Sequence, residues 1–183
     1  LEAALMARKI APGTGRRFAF ELFSNFDQSL WKTVQAQARV KALPASPARI
    51  YASDRDPHAV QTAQDQFTRA GVAQDITLTQ VDLFDLTPPP EPGIIVMNPP
   101  YGVRLGSQGD LDVFYPKLGA WLKTRCVGWR VYLFTGDLRA PKLIGLAPSK
   151  RTPLFNGAIE CRLYEFIIVE GGARRRLAPP THT

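Results

Sequence analysis

Four consecutive residues near the middle of the chain, Asn98-Pro99-Pro100-Tyr101, combine residue types that could activate an amino group. They follow the apolar residues 93–97, which predict a buried parallel strand, and ligands of open α/β sheets bind beyond the carboxyl ends of the strands. The exocyclic amine of a nucleobase or an amide is a weak nucleophile because its lone pair is delocalised. The side-chain oxygen of Asn98 and the carbonyl of Pro99 could accept its two N–H groups and aim that lone pair at an electrophile.

The neighbouring residues suit the same chemistry. Proline fixes φ, carries no N–H and holds the residue before it extended, so Pro99 and Pro100 would keep both acceptors in place. The ring of Tyr101 offers a face on which a base can stack, which contributes about 1–3 kcal/mol per base. The alternative is a plain turn, because Asn-Pro and Pro-Pro are also common loop signals.

The segment from Asn98 to Tyr101 resembles the Asn/Asp-Pro-Pro-Tyr motif of S-adenosylmethionine-dependent amino-methyltransferases. These enzymes modify adenine N6, cytosine N4, guanine N2 or the side-chain amide of glutamine. The longer string Asn-Pro-Pro-Tyr-Gly-Val-Arg-Leu, which ends at Leu105, resembles more narrowly the bacterial guanine-N2 methyltransferases of large-subunit ribosomal RNA. That resemblance extends to about Val169. It implies S-adenosyl-L-methionine as the cofactor, ribosomal RNA as the partner and a THUMP RNA-binding domain upstream.

A first candidate for cofactor binding follows the strand predicted over residues 49–53. Nucleoside-binding α/β folds hold ribose hydroxyls with a carboxylate at the end of the second strand, and one carboxylate can accept from both hydroxyls. We therefore predict Asp54 as the ribose ligand. Asp56, which precedes Pro57, is predicted to cap the next helix. A second helix cap is the alternative for Asp54.

A second candidate, Asp82, follows the alternating residues 76–81, which predict a strand towards a sheet edge. The resemblance implies that an acidic residue here receives the adenine amino group of the cofactor, and an acceptor-only side chain suits that donor. A surface turn is the alternative. Phe84 is predicted either to pack near the adenine or to fill the core, and Asn98 completes the predicted cofactor-binding set.

The remaining patterns predict the elements that position these residues. Further helices are expected over residues 1–10, 28–42, 57–70 and 111–126, the last either interrupted by Pro116 or beginning there. A strand is predicted over residues 129–135, and Asp137 is expected to cap a short helix that ends at Ile144. Asn156-Gly157 predicts a terminal hairpin in which Arg162 and Glu165 face solvent.

This order of elements fits a class I methyltransferase, an α/β Rossmann-like sheet with helices on both faces and a C-terminal antiparallel hairpin. The first strand and the Gly-rich loop of that family are absent from this chain. We therefore expect an N-terminally truncated catalytic domain over residues 1–170, with unpaired strand edges in mid-sheet, and a polar tail over residues 171–183.

The composition of the chain limits the class of protein and the kind of partner that we expect. The 183 residues are 45% hydrophobic, which suits a globular domain, and no apolar run approaches the roughly 20 residues of a membrane span. Two cysteines, Cys126 and Cys161, and two histidines supply no disulfide framework and no metal set, and with no visible signal peptide we expect a cytoplasmic protein. The net charge of +7 suits a polyanionic partner.

The sequence thus predicts methylation of guanine N2 in large-subunit ribosomal RNA, with three alternatives. The same motif would serve methylation of adenine N6 in DNA or RNA, or of a protein glutamine. A non-catalytic RNA-binding module is the third.

The basic and aromatic residues 16–26 are expected to be either a substrate-facing lid or, as we favour, a loop held onto the core by its aromatic rings.

Overall fold

The structure is a computed structural model that describes residues 1–99 and 108–171 of the chain. The chain divides into two compact units, Leu1–Leu86 and a second that begins at Thr87. Each unit has its own sheet, and the β-strands of the described residues fall into a two-stranded and a four-stranded group.

The first unit is built around a parallel strand pair and the helix that crosses between its strands. β1 and β2 pair in parallel with Ile50 opposite Ile76, and Phe67 of the crossover helix is buried with Ile76, Val72 and Ala4. Its elements, in chain order, are α1 (Glu2–Ala7), α2 (Gln28–Val40), β1 (Ile50–Asp54), α3 (Pro57–Arg69) and β2 (Ile76–Gln80).

The second unit is a mixed sheet with the strand order β3-β4-β6-β5, in which only β3 and β4 are parallel. Its core contains Tyr115, Leu118 and Leu122 from the long helix and Leu133 and Phe166 from the sheet. Its elements are β3 (Ile94–Met97), α4 (Gln108–Arg125), β4 (Arg130–Thr135), α5 (Ala140–Ile144), β5 (Lys150–Asn156) and β6 (Ile159–Ile167).

The strand before Asn98 is parallel as predicted, but the prediction that it is buried is wrong. Ile94 and Val96 are 65% and 73% exposed, whereas the alternate residues Ile95 and Met97 are half-buried. β3 stands at the end of the strand order and, among the described residues, pairs only with β4. Side chains that alternate along a strand lie on opposite faces, and here one face is left open.

The helix expected over residues 111–126 begins earlier, at Gln108, and runs through Pro116 without a break. Neither expectation for Pro116 is therefore correct. A proline inside a helix costs about 3 kcal/mol because it removes one backbone hydrogen bond and crowds the preceding turn. Packing outweighs that cost, since Tyr115, Leu118, Trp121 and Leu122 bury the helix on both sides of the proline. The aromatic side chains Tyr115 and Trp121 are therefore part of the core.

The terminal hairpin is confirmed, with its loop displaced by one residue. Asn156 still pairs with Ile159, so the two-residue loop is Gly157-Ala158, and Gly157 takes the positive φ of 61° that a tight hairpin needs. The expectation that Glu165 faces solvent is wrong: its side chain is 14% exposed and lies 3.3 Å from the Nη1 atom of Arg130. Arg162 is half-buried and pairs with Glu160.

Asp137 does not cap α5 itself. The helix begins at Ala140 with Arg139 in the N-cap position, and Oδ1 of Asp137 accepts a hydrogen bond from the backbone N–H of Arg139 at 2.9 Å. The carboxylate therefore closes the turn between β4 and α5. The predicted α/β arrangement with a C-terminal antiparallel hairpin is confirmed.

Candidate functional site

Two carboxylates lie at the carboxyl edge of the parallel strand pair in the first unit. Asp54 is the last residue of β1 and lies opposite Gln80, the last residue of β2. The backbone N–H of Val81 donates to the carbonyl of Asp54 at 3.0 Å, which continues the pairing one step beyond β2. Asp82 follows directly, so both predicted cofactor ligands leave the sheet at the same edge.

The local hydrogen bonds separate the roles of the two neighbouring aspartates. Oδ1 of Asp56 accepts from the N–H of His58 at 2.9 Å, and Pro57 occupies the first position of α3, so Asp56 is the predicted helix cap. Oδ1 of Asp54 accepts from the N–H of Asp56 at 2.9 Å. Asp54 therefore holds the turn rather than capping the helix, and its exposed carboxylate can accept further donors.

Asp82 is anchored in a similar way. Its Oδ1 accepts from the N–H of Phe84 at 2.9 Å, and its Oδ2 lies 3.8 Å from the Nη1 atom of Arg55. Phe84 is half-buried beside this turn. Sequence reasoning missed Arg55, although its place between Asp54 and Asp56 was a signal. The edge thus presents two oriented carboxylate acceptors next to one cation, and such acceptors fit the hydroxyl and amine donors of a nucleoside.

Asn98 lies at the corresponding edge of the second unit. It follows Met97, the last residue of β3, which pairs with Leu133 of β4, and it is exposed while Pro99 is half-buried. The amide is therefore accessible at the carboxyl end of a parallel strand, where the predicted role requires it. Pro100 and Tyr101 lie outside the described residues, and their predicted roles remain predictions.

A charged cluster that sequence reasoning missed lies at the same edge, just beyond β4. Arg139 bridges two carboxylates, with Nη1 3.1 Å from Asp112 of α4 and Nη2 2.8 Å from Asp137. Partial burial tends to raise the pKa of Asp137, but the hydrogen bonds from Arg139 prevail and hold that pKa below its usual value. Residues 27 positions apart in the chain form this cluster, so no local pattern could have revealed it.

A buried pair of hydroxyls lies beneath that cluster. The hydroxyl oxygens of Tyr115 and Thr135 are 3.0 Å apart, and both residues are fully buried. The Thr135 hydroxyl also accepts from the backbone N–H of Asp137 at 3.0 Å. Burial raises the pKa of Tyr115, against the opposing effect of its hydrogen bond to Thr135. The hydroxyl of Thr135 therefore connects the core to the turn at the rim.

The aromatic residues 16–26 were expected to hold their loop onto the core, and this expectation is wrong: their rings pack against α2, which has no buried residue. Phe18 and Phe20 stack with their centroids 5.3 Å apart, and Trp31 of α2 stands edge-on to both rings. Leu30 and Val34 of α2 are exposed. A groove of about 140 Å³ lies between α2 and the loop at residues 10–15.

No group of three or more His, Cys, Asp or Glu side chains in residues 1–99 and 108–171 is arranged to hold a metal ion. In that same part of the chain, no helix combines the length and the apolarity needed to cross a membrane.

Of the predicted site residues, the structure brings Asp54 and Asp82 together at the carboxyl edge of the first unit's strand pair, and it places Asn98 at the carboxyl edge of the strands in the second unit.

Comparison with known proteins gives a consistent result. The chain is 38% identical over 173 residues to ribosomal RNA large subunit methyltransferase K/L of Allochromatium vinosum, covering 92% of this chain and 24% of that protein. The protein of the same name from Shewanella frigidimarina is 34% identical over 179 residues, covering 96% of this chain and 25% of the relative. The chain therefore spans about a quarter of the length of these curated relatives.

Solved structures agree on the fold, which is that of class I methyltransferases as predicted. The crystal structure of SMU.472 complexed with SAH superposes with a TM-score of 0.84 at 29% identity, covering 91% of this chain and 44% of that one. A predicted N6-adenine-specific DNA methylase from Listeria monocytogenes superposes with a TM-score of 0.79 at 29% identity, covering 91% and 43%. Residues 1–165 match the family UPF0020, and this chain belongs to that family of RMKL-like methyltransferase domains.

Proposed function

We propose that the protein transfers a methyl group from S-adenosylmethionine to N2 of a guanine in large-subunit ribosomal RNA. The observation that carries the proposal is the exposed amide of Asn98, directly beyond the parallel strand β3, in a chain of the RMKL-like methyltransferase family. The relatives at 34–38% identity, which are named for methylation of large-subunit ribosomal RNA, support the choice of substrate.

Asn98 and the carbonyl of Pro99 position the amine in this proposal. Two acceptors that hold both N–H groups of guanine N2 restrict the amine to an orientation in which its lone pair faces the methyl donor. S-adenosylmethionine supplies the electrophilic methyl group. The amine nitrogen is cationic and acidic after methylation, so its proton can leave to water and no strong general base is required. Catalysis is then mainly positioning. Tyr101, outside the described residues, remains the predicted stacking face.

The carboxyl edge of β1 and β2 supplies the binding residues for the nucleoside part of the cofactor. Asp54 accepts hydrogen bonds from the ribose hydroxyls and Asp82 accepts one from the adenine amine, with Phe84 beside Asp82. Both carboxylates are held by backbone N–H groups at 2.9 Å, which supports this assignment because their orientation is defined without a ligand. A THUMP domain elsewhere in the full-length protein and a cytoplasmic location belong to the same proposal.

A second candidate is methylation of adenine N6, which the same pair of acceptors would serve. The likeness to the predicted adenine-specific DNA methylase from Listeria monocytogenes favours it. Guanine N2 and adenine N6 are both exocyclic amines on a ring, so Asn98 alone does not discriminate between them. The base is selected by contacts to the rest of the ring.

The test identifies the product directly. The protein is expressed at the full length that its gene encodes and incubated with unmodified large-subunit ribosomal RNA and S-adenosylmethionine with an isotopically labelled methyl group. The RNA is then digested to nucleosides for mass spectrometry. Labelled N2-methylguanosine is the expected product. Labelled N6-methyladenosine would overturn the choice of base, and RNA binding without any transfer would point to the non-catalytic alternative.

A further inference from the structure

A second surface of the first unit has features that the methylation site does not use. It consists of Arg16, Arg17, Phe20, Phe23 and Trp31, and we call it the basic–aromatic surface. Phe23 is 63% exposed, and the side chain of Arg17 is 85% exposed. Large apolar side chains that stay on the surface together often mark an interaction site.

A rigid framework holds these exposed groups. Phe18 and Phe20 stack, and Trp31 stands edge-on to both. The centroids of the Phe26 and Phe20 rings are 5.9 Å apart. The short 3-10 turn Ala19–Leu22 is closed by a 2.8 Å hydrogen bond from the N–H of Phe18 to the Glu21 carboxylate. Phe23 directly follows this turn, and its N–H donates to the carbonyl of Phe20. The backbone that carries the exposed Phe23 ring is therefore fixed by this turn.

The charge around this framework is strongly positive. Residues 8–41 contain seven Lys and Arg, of which Arg8 pairs with Asp75, but only two acidic residues, Glu21 and Asp27. Both acids are engaged locally: Glu21 closes the 3-10 turn and lies 3.9 Å from Nε of Arg17, and Oδ1 of Asp27 caps α2 through the N–H of Leu30 at 2.9 Å. The guanidinium of Arg16 lies 4.8 Å from the centre of the Phe18 ring. A polyanion is the partner that this charge favours.

We infer that the basic–aromatic surface binds an unpaired stretch of the RNA substrate, with a base stacked on Phe23 and phosphates against Arg16 and Arg17. Sites for single-stranded nucleic acid combine aromatic faces with a positively charged track along the backbone. A protein partner that docked through apolar contacts alone would gain nothing from the net charge of +5 over residues 8–41. The inference rests on the proposed function, because it assigns a second contact to the same substrate.

The experiment uses the full-length protein and a fluorescent single-stranded fragment of large-subunit ribosomal RNA, with affinity measured by anisotropy at several salt concentrations. Phe23→Ala should weaken binding by about 5- to 160-fold, the range expected for one stacked base at about 1–3 kcal/mol, without changing the salt dependence. The double variant Arg16→Ala/Arg17→Ala should reduce the slope of log K against log salt by about 1.4, since each phosphate contact to a single strand contributes about 0.7.

Matched controls are available on other exposed positions. Phe155→Ala removes an exposed ring from the hairpin, and Arg69→Ala removes an exposed charge at the end of α3. Both should bind RNA like the wild type. RNA should also quench the fluorescence of Trp31, because Trp121 and Trp129 are buried, and Trp31→Phe should abolish the quenching.

The outcomes separate this inference from the proposed function. If the wild type methylates ribosomal RNA while Phe23→Ala and the double arginine variant bind RNA normally, the inference is wrong and the proposed function stands. If the wild type methylates no RNA and binds none, both fall. Loss of binding to phosphatidylserine vesicles in the same variants, with RNA affinity unchanged, would assign the surface to a membrane and also overturn the inference.

Discussion

Gly119 of α4 faces the carbonyl group of Ile144, the last residue of α5, with no space for a side chain between them. A Cβ built on Gly119 would overlap the carbonyl oxygen and lie 2.9 Å from the carbonyl carbon, and real Cβ atoms essentially never come within 3.0 Å of such neighbours. The two helices therefore touch backbone to backbone at this point.

We predict that Gly119→Ala destabilises the protein by about 2–4 kcal/mol, through steric overlap that the backbone must move to relieve. Helix propensity alone would predict the opposite, because alanine is favoured over glycine inside a helix by about 1 kcal/mol. Ala120→Gly, at the adjacent exposed position, is the control and should cost only that ~1 kcal/mol. Urea denaturation of the variants measures both values, and equal stability of Gly119→Ala and wild type would refute the contact.

Asn98→Ala should reduce kcat by about 100-fold or more, because an amine that is held by one acceptor instead of two loses its alignment. The affinity for S-adenosylmethionine should remain within about twofold of the wild type, because in the proposed function Asn98 holds the amine while Asp54 and Asp82 hold the cofactor; if Asn98 also binds the cofactor, as its place in the predicted cofactor-binding set implies, the loss of that hydrogen bond would lower the affinity further. Asn98→Asp keeps the acceptors and should retain part of the activity. Steady-state kinetics and calorimetric titration measure the two quantities, and joint loss of turnover and cofactor affinity would contradict the assigned role.

Asp54 and Asp56 are neighbours whose substitution should have different effects. Asp54→Ala removes charged hydrogen bonds worth about 1.5–3 kcal/mol and should weaken cofactor binding by roughly 10- to 100-fold. Asp56→Ala removes a helix cap and should cost about 1 kcal/mol of folding stability while cofactor affinity is kept. Titration calorimetry and thermal unfolding of both variants provide the test. If Asp56→Ala weakened cofactor binding and Asp54→Ala did not, the roles assigned to the two residues would have to be exchanged.

Several of these local features follow directly from residue types. Asp56 caps its helix as predicted, and Asp27 caps α2, because a short acceptor before a helix can reach the first backbone N–H groups. The shared edge of Asp54 and Asp82 follows from two parallel strands that end together. In these cases the partners are close in sequence, or are related by one simple pairing rule.

Other features depend on tertiary position and could not be predicted from the sequence. The apolar residues Ile94 and Val96 suggested a buried strand, but burial depends on whether other elements cover each face of β3, and the face that carries these two side chains is open. Pro116 suggested a break in the helix, but buried neighbours from other elements stabilise α4. The pairing of Arg139 with Asp112 requires the packed positions of α4 and the turn before α5.

Cys126 should make stability depend on alkaline pH. Burial raises the pKa of its thiol from 9.0 to about 11, so between these values the unfolded chain releases a proton that the folded chain retains. The contribution of the neutral Cys126 thiol to the free energy of unfolding is complete below about pH 9. It is lost as pH rises towards 11, which lowers the free energy of unfolding by up to ~3 kcal/mol. Denaturation midpoints for wild type and Cys126→Ala from pH 8 to 11 should converge as pH increases. Parallel curves would contradict this prediction.

The hydroxyl of Thr135 gives the turn after β4 an unusual degree of order for a surface segment. The N–H of Asp137 donates into the fully buried Thr135–Tyr115 pair, so releasing that amide to solvent requires the core to open. Amide hydrogens that exchange only through such openings are protected far more strongly than those on an ordinary surface loop. Deuterium uptake at Asp137 should therefore follow the slow rate of the central strand, and the rim beside Asn98 should stay rigid on the timescale of turnover.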